Sequence, residues 1–267
     1  MTPPLRIALY QGPAGVPASA ADSLAALDDA ARRAAAAGAG LLVTAEMYLT
    51  GYAIGDAVAD RAETADGPCA RRVSEIAAEH RIAIAYGYPE RAGDAVFNSV
   101  RLTGPDGATL AGYRKTHLFG DFETAHFTPG DTAVVQADLG GLTVGLLICY
   151  DVEFPETVRA HALAGTDLLV VPTALMRPFE FVPLTLVPAR AYESQLYVAY
   201  ANRCGAEGEF HFTGFSCLAG PDGTVRARAG TGQDLVLGDA DPALLAASRE
   251  ELPYLRDRRP ELYGRLT

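Results

Sequence analysis

An α/β fold is predicted by three features: short apolar runs of strand length, alanine- and leucine-rich helical stretches between them, and a late series of strands separated by Gly- and Pro-rich turns. At 267 residues, with 49% hydrophobic and 21% charged residues, the chain suits one large domain that buries a substantial core. No repeat, low-complexity tract or linker interrupts it. A single domain over residues 1–267 is expected, with helices covering a large two-layered sheet.

Leu5 to Tyr10 reads as a strand ended by Gly12 and Pro13. Ser19 to Ala37 reads as a helix, with Asp22 early, Arg32 and Arg33 late, and Gly38 as its stop. Gly40 to Ala45 is a second buried strand that runs directly into Glu46. Cys69 to Arg81 is a helix, Ile82 to Tyr86 and Phe97 to Leu102 are strands, and Gly104-Pro105-Asp106-Gly107 turns into a further strand, Ala108 to Tyr113. Lys115 follows it. Asp121 to Asp131 reads as a loop carrying Glu123 and His126. Ala133 to Ala137 and Leu142 to Ile148 form a hairpin that delivers Cys149, and Glu156 to Leu163 is helical. Leu168 to Val171 is a strand with Pro172, Thr173 and Ala174 at its end. Phe179 to Tyr192 reads as a helix broken by Pro183 and Pro188. Leu196 to Ala201, Phe212 to Leu218, Thr224 to Ala229 and Leu235 to Asp239 are strands, Asp241-Pro242 opens a short helix, and Leu252 to Thr267 is an arginine-bearing tail.

A formal charge of −11 argues against a nucleic-acid or anionic-membrane partner. Cys69, Cys149, Cys204 and Cys217 show neither CxxC spacing nor a disulfide framework. No apolar run approaches membrane-spanning length and no leader pattern opens the chain, so a reducing cytoplasm is the expected location. His80, His126, His161 and His211 show no metal-ligand spacing, and the Gly-rich turns lack a phosphate-binding order. No metal and no cofactor is implied.

Chemistry collects at the strand ends. Cys149 ends a strand buried on both faces, and Phe154-Pro155-Glu156 just beyond it reads as a helix start. Free N–H groups there can lower a thiol pKa and stabilise an anion. The alternative is a small buried hydrophobe. Glu46 also ends a buried strand, where a carboxylate is either a structural acid or a working base. Lys115 is by itself an ordinary lysine at a strand-to-loop boundary. Together the three make chemical sense. A thiolate attacks an amide carbonyl, a carboxylate moves its proton, and an ammonium with the backbone N–H of Tyr150 stabilises the oxyanion.

Three stretches resemble the signature blocks of the nitrilase superfamily of carbon–nitrogen hydrolases. They are Leu41-Leu42-Val43-Thr44-Ala45-Glu46-Met47-Tyr48-Leu49-Thr50-Gly51-Tyr52, Tyr113-Arg114-Lys115-Thr116-His117-Leu118, and Gly145-Leu146-Leu147-Ile148-Cys149-Tyr150-Asp151-Val152-Glu153-Phe154-Pro155-Glu156. The resemblance implies an αββα four-layer sandwich, a Glu46–Lys115–Cys149 triad, and Glu123 as a second glutamate that positions the substrate amide. It also implies a homodimer or larger assembly, and residues 252–267, too short to form a unit, are expected to pack against a neighbour. Tyr48, Tyr150, Thr173 and Ala174 are the further candidates for substrate contact. His117 reads as a scaffold residue.

Within the superfamily, Tyr150-Asp151 replaces the Trp-Glu usual in nitrilases, and Val152 and Glu153 stand where N-carbamoyl amino acid hydrolases place arginines. Tyr86 to Arg91, Lys115 to Asp121, Tyr197 to Asn202 and Arg258 to Gly264 are similar to 5-aminopentanamidases. Pro172 to Met176 and Arg203 to Gly220 are equally similar to stereoselective amidases acting on cyclic amino-acid amides. Both imply hydrolysis of a primary carboxamide to a carboxylate and ammonia. A non-catalytic binding subunit on the same fold is disfavoured by the intact triad. An ω-amino substrate requires an acid to pair its ammonium, and Asp121, Glu153, Glu180 and Glu207 are the candidates.

Overall fold

In the computed structural model, which describes residues 2–264, fourteen strands and eight α-helices are laid down in one order. The first strands are β1 (Leu5–Gln11), β2 (Leu41–Val43), β3 (Ala83–Ala92), β4 (Ala95–Thr103) and β5 (Thr109–Arg114). Then come β6 (Gln136–Leu139), β7 (Leu142–Leu146), β8 (Leu168–Pro172), β9 (Tyr197–Ala201), β10 (Cys204–Glu207) and β11 (Phe210–Thr213). The series ends with β12 (Cys217–Ala219), β13 (Val225–Arg228) and β14 (Asp234–Ala240). The helices are α1 (Ala20–Ala36), α2 (Ala57–Arg61), α3 (Pro68–His80), α4 (Gly120–His126), α5 (Pro155–Leu163), α6 (Val187–Ser194), α7 (Pro242–Glu251) and α8 (Tyr254–Asp257).

Two six-stranded sheets result, ordered β14-β1-β2-β3-β4-β5 and β13-β12-β9-β8-β7-β6. In each, three central strands run parallel and the outer ones antiparallel: β1-β2-β3 in one sheet, β7-β8-β9 in the other. Alternation along β1 sorts the layers. Ile7 and Leu9 join the core between the sheets, while Ala8 and Tyr10 join Leu27, Ala31, Val73 and Ile76 of α1 and α3. Val158 of α5 and Ala191 of α6 cover the second sheet. The architecture is the expected αββα sandwich.

Local chemistry explains the ends of the elements. Ser19 caps α1 by accepting from the N–H of Asp22 at 3.3 Å, and Gly104–Gly107 closes the β4–β5 hairpin. Pro183 and Pro188 interrupt the segment before β9 as expected, giving a π-helical turn at Val182–Leu186 and then α6.

Two expectations are corrected. The segment 121–131 begins as a helix, α4, because the Glu123 carboxylate turns back to accept from the N–H of Phe119 at 2.7 Å and closes its first turn. Phe212 to Leu218 is two strands, because Gly214 and Phe215 adopt left-handed backbone (φ 70° and 58°) and end the ladder. The helix α2 had no counterpart in the periodicity. The C-terminal segment carries α8 and a 3₁₀ turn at Pro260–Leu262, and residues 265–267 lie outside the described residues.

Candidate active site

Glu46, Lys115 and Cys149 leave three strand ends and converge. Glu46 follows β2. Its N–H donates to the carbonyl of Thr173 at 3.3 Å, and Arg203 donates to the Glu46 carbonyl at 3.1 Å, so residues just beyond β8 and β9 of the second sheet hold its backbone. Met47 turns the chain with φ 52°, and Gly87 of β3 makes room for the turn. A Cβ at Gly87 would lie 2.6 Å from Met47 N and 2.8 Å from Ala45 O. Lys115 directly follows β5, its N–H donating to Asn98 O at 2.8 Å. Cys149 follows β7 and opens a 3₁₀ turn, Cys149–Glu153, with φ 46°, a strained value for a residue with a Cβ.

Lys115 Nζ lies 2.7 Å from Glu46 Oε1 and 2.6 Å from Glu123 Oε1, and all three side chains have no solvent exposure. Asn98 Nδ2 also donates to Glu46 Oε1 at 2.7 Å, and the Tyr52 hydroxyl donates to Glu123 Oε1 at 2.9 Å. Glu46 Oε2, by contrast, is buried with no hydrogen-bond partner among the described residues. An ammonium has three donors, and two are committed to the carboxylates, which leaves one for a ligand.

The titration directions reflect this packing. Burial pushes the Glu46 carboxyl up to about 7, with Lys115 opposing and Glu123 adding to the rise. Burial works against the Lys115 ammonium, but Glu46 and Glu123 prevail and hold it well above the ordinary lysine range. Burial, reinforced by Glu46, raises the Cys149 thiol well above its usual range, against Lys115 and the N–H of Ala174. The expected lowering of the thiol pKa is therefore reversed. The helix itself starts later, at Pro155, and burial together with Glu46 outweighs the N–H of Ala174. That direction keeps the Cys149 thiol neutral at neutral pH.

Asp151 ties the cysteine turn to the lysine loop. It is fully buried and accepts from Ile148 N (3.1 Å), the Tyr113 hydroxyl (2.9 Å), the Thr116 hydroxyl (2.9 Å) and His117 N (2.9 Å). His117 Nδ1 is also 2.9 Å from Asp151, which raises the imidazole pKa, and its ring stacks on Phe154 at 4.1 Å. His117 has the scaffold position expected of it.

Cys149 opens onto a cavity of about 240 Å³. Tyr150 and Ala174 line it, whereas Thr173 sits behind it, its carbonyl engaged by Glu46 and Arg203. Tyr48 is a correction. Its ring packs with Tyr10 on the α1 side of the first sheet, and its hydroxyl donates to Ser23 O at 3.0 Å. Left-handed Met47 reverses which face its neighbours take, and Tyr52 lines the cavity instead. Of the four acids, Glu153 alone lines it. Glu207 is bound to Arg203 and to the N–H groups of Tyr52 and Ala53, Glu180 lies 3.8 Å from Arg177, and Asp121 is exposed. Sequence reasoning also missed Asn98 and the role of Asp151. Tyr52 and Asp151 stood within the signature blocks, but Asn98 carried no signal.

One trio among the described residues, Asp28, Glu79 and His80, brings metal-ligating atoms within 4.8 Å of one another. It lies in the outer helix layer, where Arg72 already pairs with Asp28 at 2.9 Å.

Residues 6–250 match the carbon–nitrogen hydrolase family. A Pseudomonas protegens protein described as a hydrolase in the pqqF 5′ region is 47% identical over 265 residues, 98% of this chain and 92% of its own. An (R)-stereoselective amidase from a Pseudomonas species is 37% identical over 230 residues, 85% of this chain and 82% of its own. The crystal structure of an amidase from Nesterenkonia sp. matches with a TM-score of 0.88 at 36% identity, over 100% of this chain and 98% of that one. Variants of the Nesterenkonia amidase, itself of the nitrilase superfamily, show the acetamide moiety of fluoroacetamide covalently added at the active-site cysteine and a complex with butyramide. By sequence, by fold and by these relatives, the chain belongs to the carbon–nitrogen hydrolase family of the nitrilase superfamily.

Proposed function

We propose that this protein is an amidase that hydrolyses a small primary carboxamide to its carboxylate and ammonia through an acyl-thioester on Cys149. The observation that carries the reading is Glu46. It is a buried carboxyl pushed up to about 7, whose Oε1 is fixed by Lys115 and Asn98 while Oε2 has no hydrogen-bond partner among the described residues, and its charge acts on the Cys149 thiol. That is a base in waiting.

Sγ bonds to the amide carbonyl carbon as Glu46 takes the thiol proton. The oxyanion accepts from the third Lys115 N–H and from the N–H of Tyr150, which as an early residue of its turn has no intrahelical acceptor. Glu46 returns the proton to nitrogen, the C–N bond breaks and ammonia leaves. Glu46 then deprotonates a water that attacks the thioester, and the released thiolate regains a proton. Glu123, held by Lys115, Tyr52 and Phe119, orients the amide.

The favoured substrate is an ω-amino aliphatic amide such as 5-aminopentanamide. The (R)-stereoselective relative keeps amino-acid amides as the second reading. Ammonia release from a panel of both classes decides between them, and no release from any primary amide would overturn the amidase assignment.

We infer a homodimer as the working unit. Phe181 (65% exposed) and Leu262 (61%) are large apolar side chains left at the surface near α6 and in the C-terminal segment. Light scattering of active protein giving a mass near 28.1 kDa would contradict it. A cytoplasmic location is supported by four free, buried cysteines. Among the described residues no helix is long and apolar enough to cross a membrane.

A further inference from the structure

We propose that Glu153 is the receptor for a cationic group on the substrate, so that the enzyme selects amides carrying an ammonium at the end of a short apolar spacer. This rests on the amidase reading and names the substrate class of the same cavity.

Glu153 is the one residue with a carboxylate among those lining the cavity. It lies on the same 3₁₀ turn as the nucleophile. At ~2 Å of rise per residue, the two positions are separated by roughly 8 Å along the turn. A bound amide with its carbonyl at Cys149 can therefore place a group several bonds away beside Glu153.

The carboxylate is held but not neutralised. Arg190 donates to the carbonyls of Val152 (3.3 Å) and Glu153 (2.8 Å) and pairs its remaining arm with Glu193 at 2.8 Å. Arg190 thus fixes the turn without a hydrogen bond or ion pair to the Glu153 carboxylate. Among the described residues, that side chain makes no ion pair within 4.0 Å and no hydrogen bond. Glu153 is only partly exposed, and burial raises its pKa against Lys115 and Arg190. A half-desolvated carboxylate without a partner gains most from an arriving cation. Between it and Cys149 the walls are apolar and aromatic, with Phe119, Tyr150, Met176 and Phe179 to receive methylenes.

The test compares kcat/KM for 5-aminopentanamide, its neutral isostere hexanamide and the anionic 4-carbamoylbutanoate in wild type, Glu153→Gln and Glu153→Arg. The wild type should favour the ammonium amide over hexanamide by about tenfold or more. Glu153→Gln should bring that ratio to about one, and Glu153→Arg should invert the preference toward the anionic amide, a gain that misfolding cannot imitate. A wild-type ratio near one, or a ratio retained in Glu153→Gln, would overturn the assignment of Glu153 while leaving hexanamide hydrolysis to support the amidase reading. No ammonia from any of the three would overturn both. Should the variants fail to fold, inhibition of the wild type by butylammonium against butanol makes the same comparison. Tenfold tighter inhibition by the cation supports the proposal, and equal inhibition overturns it.

Discussion

Replacing Lys115 by glutamine removes the cation from between two buried carboxylates. Its Nζ lies 2.7 Å from Glu46 and 2.6 Å from Glu123, with no solvent to screen either contact. At an effective dielectric of ~20, each contact supplies roughly 6 kcal/mol of attraction, most of which offsets the desolvation of the ions. Removing one partner of such a cluster costs about 3–5 kcal/mol. The lift of the Glu46 carboxyl from 4.5 to about 7 is already worth roughly 3 kcal/mol with the ammonium in place. Without it, burial and Glu123 both push Glu46 higher.

A carboxyl whose folded pKa exceeds its unfolded value binds more protons when folded. Stability from that binding is complete below about 4.5, the unfolded value, and is lost as pH rises through the folded pKa, here above about 7. Urea unfolding of Lys115→Gln should therefore show a deficit of about 3–5 kcal/mol at pH 8 that shrinks at pH 5.5. Its kcat/KM on a small aliphatic amide should fall by ~10²–10³ or more, since the oxyanion donor is lost as well. A deficit equal at both pH values, or activity near wild type, would refute the electrostatic reading.

Other perturbations probe the supports. In the wild type, kcat/KM should fall on the acid side with a midpoint near 7 as Glu46 takes up its proton; a midpoint near 4.5 would remove it as the base. Asp151→Asn turns an amide N–H₂ toward at least one donor, so unfolding free energy should drop by about 2–3 kcal/mol and kcat should fall more than KM rises. Unchanged kcat would mean that Asp151 only stabilises the fold. Gly87→Ala drives a methyl into the Glu46–Met47 backbone, with an expected loss of about 1–3 kcal/mol and reduced kcat. Tyr52→Phe should cost about 1 kcal/mol through its bond to Glu123 and leave Cys149 alkylation intact.

The features legible in the sequence were those that depend on short-range pattern. β2 and β8 are buried on both faces and read as uninterrupted apolar runs, β7 is broken only by partly buried Thr143, and the chain just beyond each run reaches the site. Ser19 announces α1 because a cap is a local hydrogen bond. The pattern fails where backbone hand changes. The left-handed turn at Met47 sends Tyr48 to the outer helix layer and lets Tyr52 reach the cavity, and alternation cannot report such a turn. Asn98 is one of many inward positions on β4 until β2 brings Glu46 opposite it. The direction of the thiol pKa is not legible in the sequence because it depends on complete burial, and then on Glu46 and Glu123, carboxylates distant in sequence whose charges the fold brings to act on it. The helix α4 escaped because a single side chain, Glu123, closes its first turn.

Trapping the covalent intermediate tests the central claim most directly. Active protein mixed with a slowly deacylating primary amide, quenched in acid and digested, is read by mass spectrometry. An acyl group on the peptide carrying Cys149, formed in step with a burst of ammonia and absent from Cys149→Ala that remains folded, is the expected result. Steady turnover with no adduct at Cys149, or an adduct only at Cys69, Cys204 or Cys217, would contradict it.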